Sequence, residues 1–272
     1  MRYDPSFYEG AAVHYRRGRP PYSAQLEALL AGELGLDGSG RLLDVGCGPG
    51  ILTVRLARLF EGAVGLDPDP AMIAEGRRAG QERDITNITW IQARAEELPA
   101  VAPGPYRLVT FGQSFYWTDE VGVAEAVYDM VAPGGGLVLV GHQPEGRAIP
   151  PSPGPPRIPH DEIRELVRKY LGSTRRAGQS TAPAQALSLE DALASTRFGA
   201  PQVIFAPGIP DLVRDVETVL SNYFSMSFAA PHLFGDRVEE FAGEMRELLR
   251  KRSPDGVFWD WAGDTEVLLV RK

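Results

Sequence analysis

The chain has one cysteine, Cys47, among its 272 residues, so no internal disulfide can brace it and cysteines cannot build a metal centre. Lysine is nearly as scarce: of 28 basic residues only Lys169, Lys251 and Lys272 are lysine. No basic run is longer than Arg250-Lys251-Arg252, against 36 acidic residues and a formal charge of -8. That balance argues against a partner bound through a phosphate backbone, so no nucleic acid is expected. No stretch reaches the roughly 18 apolar residues a membrane span needs. The opening "MRYDPSFYEG" has no apolar signal region. A soluble, cytoplasmic protein with no membrane partner is the expectation. The histidines at 14, 142, 160 and 232 show no ligand spacing, and no metal is predicted.

What is present is globular material, 43% hydrophobic, with length for one large domain or two small ones. In the first half, short and nearly continuous apolar runs at 41–46, 63–67, 88–92, 107–112 and 136–141 have the pattern of strands covered on both faces. Segments with helical spacing separate them: "GILTVRLARLF", "PAMIAEGRRAG" and "EVGVAEAVYDMVA". Alternating strand and helix predicts an α/β fold, doubly wound, with helices on both faces of a parallel sheet and ligands at the carboxyl ends of its strands. After Gly141 the texture changes. "GHQPEGRAIPPSPGPPRIPH" (141–160) can continue neither sheet nor helix, and an ordered lid at the ligand edge is preferred to a linker. Helical patterns return at 160–172, 188–195, 211–222 and 235–252, with a strand at 201–206 and a last one at 265–272 that returns to the sheet.

The densest signal is "LLDVGCGPGILTVRLARLF" (42–60), where Gly46, Gly48 and Gly50 strip β-carbons from a strand-to-helix turn. A ligand can then lie against the backbone at a helix N-terminus. A tight turn alone would explain one such glycine, not three. Asp67 ends the next strand, 21 positions after Gly46, where a carboxylate can accept both hydroxyls of a ribose. Dinucleotides and S-adenosylmethionine share this logic. The dinucleotide fingerprint G-x-G-x-x-G is not met, because the third glycine comes one place early and Ile51 stands where it belongs.

Five segments, "LLDVGCGPGILT", "VGLDPDPAMI", "ARAEELP", "YRLVTFGQSFYWTD" and "VAPGGGLVLVG", occur in the order and with the gaps of one family. On these the chain resembles the class I S-adenosylmethionine-dependent methyltransferases, type 11-like, in the small-molecule branch that includes the trans-aconitate and ubiquinone-biosynthesis type enzymes. The resemblance runs from about Tyr15 to Gly141, and "TEVLLVRK" looks like the family's seventh strand. It implies a mostly parallel, seven-stranded Rossmann-like sheet with an antiparallel last strand and a helical substrate cap. The core would be 1–142 plus 265–272, with 201–206 also in the sheet, and 143–264 the mostly helical cap.

The family's cofactor residues carry over as expectations. Gly46, Cys47, Gly48 and Gly50 would wall the methionine and ribose parts, with Asp44 reaching the amino group. Asp67 would hold the ribose, Pro68 and Met72 would lie against adenine, and Ala95 and Glu96 would meet its edge. Arg94 stands where the family often has aspartate, so Glu96 is the substitute contact. Gln113 would offer its carbonyl to the methionine ammonium. Arg19, in "YRRGRPPY", would pair with the methionine carboxylate.

Cys47 lacks a local basic partner and is read as packing, not reacting. His142, at the end of the fifth strand, is the candidate proton acceptor, weighed against an ordinary loop histidine. Tyr116, Tyr223 and Phe228 are candidates for the substrate pocket, while Phe115 and Trp117 are assigned to the core. The implied function is methyl transfer from S-adenosyl-L-methionine to an oxygen, nitrogen or carbon of a small molecule, with S-adenosyl-L-homocysteine as product and secondary metabolism a candidate setting. The alternatives are an RNA or protein methyltransferase and a non-catalytic S-adenosylmethionine-binding protein. Monomer and homodimer are both open.

Overall fold

The computed structural model describes residues 6–143, 149, 151–152, 154–173, 176–177, 180–181 and 188–272. Residues 144–148, 150 and 153 of the proline-rich lid expected at 141–160 lie outside them. Seven strands form one sheet: β1 (Arg41–Val45), β2 (Gly62–Asp67), β3 (Ile88–Gln92), β4 (Tyr106–Gly112), β5 (Val131–Gln143), β6 (Gln202–Ala206) and β7 (Asp264–Arg271). Their order is 3-2-1-4-5-7-6. Strands β1 to β5 pair in parallel, and β7 runs antiparallel to both β5 and β6. The order reverses between β1 and β4, which opens a crevice beyond their carboxyl ends.

Adjacent strand residues face opposite layers, and both layers are apolar. Leu43, Val109 and Leu137 join a cluster with Val123 and Val127 of α5 (Glu120–Met130) and Leu193 of α7 (Leu189–Ala194). Their neighbours Leu42, Leu108 and Val138 join another, with Leu26 and Leu30 of α2 (Leu26–Leu34) and Leu52 and Leu56 of α3 (Ile51–Leu56). This is why the strands read as continuous apolar runs rather than alternating ones. The helix α4 (Pro70–Gln81) begins where Asp69 accepts from the Ala71 and Met72 amides, with proline at its first position.

The remaining helices make a body with its own core. In α6 (His160–Leu171), α8 (Val216–Phe224) and α9 (Val238–Arg252), residues Leu166, Val219, Phe224, Phe241 and Met245 pack together. The Phe234 and Phe241 rings stack 4.1 Å apart at its centre. Two differences from the expected elements stand out. The 188–195 helix packs on the sheet through Ala192 and Leu193, not with this cap. The segment at 211–215 is not helical: Val213–Asp215 pairs antiparallel with Val257–Trp259, and the helix starts at Val216 behind the Asp215 side chain, which accepts from the Thr218 amide. A short helix, α1 (Ala12–Gly18), leads from the N-terminal arm to the sheet's carboxyl edge. Among the described residues no helix is long and apolar enough to cross a membrane.

Candidate functional site

The cavity beyond β1, β2 and β4 has a floor made of main chain. At the end of β2 the Asp67 carboxylate accepts the Gly48 amide at 2.8 Å on one oxygen and the Asp69 amide at 2.9 Å on the other. The Cys47 amide donates to the Leu66 carbonyl at 3.0 Å. These bonds lash the glycine loop to the neighbouring strand while leaving each Asp67 oxygen with a further lone pair. Asp67 is 8% exposed, and burial pushes its carboxyl up to about 7. Gly48 has φ +52, and a β-carbon there would meet nothing nearer than the Met72 sulfur at 4.0 Å, so the bare face opens onto the cavity.

A smaller cavity continues from the first past Tyr15, Gly46, Gly48 and Gly112. Asp44 and Cys47 line it. Asp44 is held by the hydroxyls of Thr53 at 2.5 Å and Thr110 at 2.8 Å, and burial still raises its carboxyl to about 6. The Cys47 thiol is driven well above its ordinary range by burial and by the carboxylates of Asp67 and Asp44, which suits a packed side chain and not a nucleophile.

The walls come from four other segments. Pro68, Met72, Ala95 and Glu96 line the main cavity, together with Arg94, whose guanidinium pairs with Glu96 at 3.2 Å. Glu96 also accepts the Asp119 amide at 3.2 Å, which fixes it beside the start of α5. Gln113 follows β4 with φ +55, a left-handed backbone that costs a non-glycine residue about 1 kcal/mol or more and so marks a position held by its surroundings. It lines the cavity with Ser114, whose hydroxyl donates to the Val45 carbonyl at 2.6 Å. Above lie Phe7, Tyr8 and Tyr15 of the N-terminal arm, with Trp117 from the turn after β4. Phe7 lies 5.0 Å from Trp117, and Tyr8 meets Tyr15 and Trp117 edge-on.

Several candidates fall elsewhere. Gly50 lines neither cavity; its missing β-carbon makes room for the Trp90 ring, which would lie 2.5 Å away. Arg19 stands behind the wall, with its guanidinium 4.6 Å over the Tyr15 ring and donating to the Ser225 carbonyl at 2.9 Å. Among the described residues its buried Nε has no partner. Trp117 is in the wall rather than the core, whereas Tyr116, 36% exposed, is not among the lining residues. Phe115 does pack in the core. Tyr223, 3% exposed, is inside the cap's own cluster with its hydroxyl 2.9 Å from His160, and Phe228 packs against the same cluster. Neither ring reaches the cavity wall, because the cap needs them to close its own core. His142 stacks on Tyr22 at 4.8 Å, behind the smaller cavity, and hydrogen-bonds the Pro20 backbone. Burial lowers its imidazole to about 4, and its Nδ1 has no partner among the described residues. The sequence reading missed Phe7, Tyr8 and Tyr15, whose only signal was a cluster of aromatics upstream of the first strand.

A family model described as a methyltransferase domain matches residues 42–135. The chain is 36% identical over 96 residues to a ubiquinone biosynthesis O-methyltransferase of Acinetobacter baumannii, covering 35% of this chain and 40% of that protein. It therefore spans less than half the length of that relative. Over 172 residues, 61% of this chain and 74% of the relative, it is 30% identical to a 2-heptyl-1-hydroxyquinolin-4(1H)-one methyltransferase of Mycobacteroides abscessus. Two crystal structures of S-adenosylmethionine-dependent methyltransferases in complex with S-adenosylhomocysteine share the fold. The one from Geobacter sulfurreducens has a TM-score of 0.54 at 15% identity over 99% of both chains; the one from Thiobacillus denitrificans has 0.53 at 15% over 96% of both. With the 3-2-1-4-5-7-6 sheet and its glycine loop, these similarities place the chain in the class I S-adenosylmethionine-dependent methyltransferase family.

Proposed function

We propose that this protein binds S-adenosylmethionine in the aromatic-roofed cavity and transfers its methyl group to a small molecule, releasing S-adenosylhomocysteine. The observation that carries the reading is the pairing of Asp67 with Gly48: a buried carboxylate, each oxygen with a lone pair to spare, beside backbone with no side chain. That cradle suits a ribose diol held against main chain. Pro68, Met72 and Ala95 supply apolar faces for adenine, with Glu96 at its edge. Gln113 and Asp44 lie toward the methionine end, the first in the main cavity and the second in the smaller one. Arg19 is a half-buried cation with no carboxylate partner among the described residues, which favours an anionic ligand group near Tyr15.

When bound, S-adenosylmethionine supplies a methyl group already activated by its sulfonium. The protein's part is then to align the acceptor atom and keep water out. Phe7, Tyr8, Tyr15 and Trp117 do the second. His142 is neutral at pH 7 and too weakly basic to gain much by taking a proton, so in this reading it holds Tyr22 by stacking. The names of the two relatives, one an O-methyltransferase and the other a hydroxyquinolinone methyltransferase, support a hydroxyl-bearing ring compound as acceptor. The acidic composition favours such a molecule over RNA. The test is release of S-adenosylhomocysteine by the purified protein against a panel of hydroxylated ring compounds. Release dependent on one of them supports the reading; tight binding of a nicotinamide dinucleotide, with none of S-adenosylmethionine, overturns it.

A further inference from the structure

Among the described residues the cap sends no aromatic side chain into the cavity, yet it grips the segment that does. The arm and α1 (residues 6–18) have no place in the sheet, and their backbone is held from the cap side at several points. His232 Nδ1 is 2.9 Å from the Glu9 carbonyl oxygen, and with an acceptor opposite it that nitrogen must carry the proton. The next bond is from Arg214 to the carbonyl of Gly18, the last residue of α1. Immediately after it Arg19, the residue that follows α1, donates to the Ser225 carbonyl of the cap. Between these points α1 lies directly on α8: a β-carbon on Gly18 would sit 2.3 Å from the Ser221 carbonyl carbon. Ala230 of the cap, Ala11 and Ala12 of the arm and Met72 of the cavity wall meet in one small apolar cluster, with Tyr8 and Tyr15 packed against it.

Arg214 is the unusual member. It is 4% exposed on the short Val213–Asp215 strand, and its charge is balanced by Asp260 at 3.1 Å, itself 6% exposed. A buried ion pair is a poor source of stability, since removing both charges from water costs about as much as their attraction returns. Here the pair does something else: it presents a fixed guanidinium to the carbonyl end of α1, the end at which a cation is favoured. We infer that the Arg214–Asp260 pair is a positioning device of the cap, which holds α1 so that Tyr15 and Tyr8 stand over the cofactor cavity. The device acts through the arm and touches neither cofactor nor acceptor. The inference rests on the reading that this cavity binds S-adenosylmethionine.

The charge-free double variant Arg214→Met with Asp260→Leu separates positioning from folding, because replacing both partners of a buried pair with apolar groups leaves stability nearly unchanged. In the full chain it is expected to melt with the wild type while its S-adenosylhomocysteine dissociation constant rises about fivefold, the scale of one lost hydrogen bond. The KM for S-adenosylmethionine should rise with it, with kcat at saturation within about twofold of wild type. Backbone amides of Ala12–Gly18 should exchange faster with solvent in the variant, a readout that needs no ligand. Should the double variant melt early, Gly18→Ala pushes α1 off α8 without altering the cap's core, and the same loss of affinity is expected. Folded variants with wild-type affinity and wild-type exchange in α1 would overturn the inference. A wild-type protein that fails to bind S-adenosylhomocysteine would instead sink the functional reading, leaving the exchange measurement to judge the clamp alone.

Discussion

The floor and the roof of the cavity are built from different material. The floor is main chain at the ends of β1 and β2, and each part is tied to the sheet within a few residues: Gly48 to Asp67, Cys47 to Leu66, Asp44 to Thr53 and Thr110. The roof is aromatic side chain on an arm that, among the described residues, pairs with no strand and is secured by the cap and, just past the end of α4, by the Arg16–Glu82 ion pair. A floor tied into the most connected part of the fold can present a fixed hydrogen-bonding surface. A roof held by a few long-range bonds opens at lower cost, as a cavity that must take in and release its ligand requires.

The largest effect should come from the floor. Asp67→Ala removes two charged acceptors at once and is expected to weaken S-adenosylhomocysteine binding at least tenfold, about 1.4 kcal/mol or more, by calorimetry. Unchanged binding would remove Asp67 from the site and with it the contrast. Next comes pH. Hydroxyl donors favour the ionised carboxylate, and the empty site holds Asp67 near 7, so affinity should be level above pH 7 and fall by up to about tenfold per pH unit below it. Asp44, near 6, adds to the loss at lower pH. Asp67→Asn should flatten the step at 7; a profile identical to wild type would assign the titration elsewhere.

A smaller loss is expected in the roof. Tyr8→Ala should raise the dissociation constant about fivefold, through exposed apolar surface and a lost edge-on contact with Trp117 worth about 1 kcal/mol. An effect as large as that of Asp67→Ala would erase the distinction between floor and roof. The smallest effect on catalysis belongs to the cap's core. Tyr223→Phe loses its bond to His160 and should lower unfolding free energy by about 1 kcal/mol in a denaturant melt while leaving turnover near wild type. A variant of normal stability and poor turnover would put Tyr223 back in the substrate site.

What could be read from sequence follows the same division. Six of the strands lie within a residue or two of their apolar runs, because both faces of the sheet are covered; β5 alone begins earlier, at Val131, ahead of its glycines. The floor was legible because its chemistry is consecutive: three glycines and a carboxylate at a set interval. Even there Gly50 misled, since a glycine spared for Trp90 and one spared for a ligand look the same in one dimension. The roof was not legible. Phe7, Tyr8 and Trp117 become a wall only through contacts across more than 100 residues, and aromatic type alone does not distinguish them from Tyr223 and Phe228, which closed a core. Arg214 carried no signal at all, being one arginine among many until the fold set it beside Asp260 and the end of α1.

The central claim is that this cavity holds an adenosine-bearing methyl donor on Asp67 and bare backbone. Calorimetric titration of the purified wild-type chain with S-adenosylhomocysteine, beside Asp67→Asn and with a nicotinamide dinucleotide as the competing ligand, tests it most directly. The account predicts one site for S-adenosylhomocysteine, a marked loss of affinity in Asp67→Asn, and no displacement by the dinucleotide. Equal affinity in both proteins, or displacement by the dinucleotide, would contradict it.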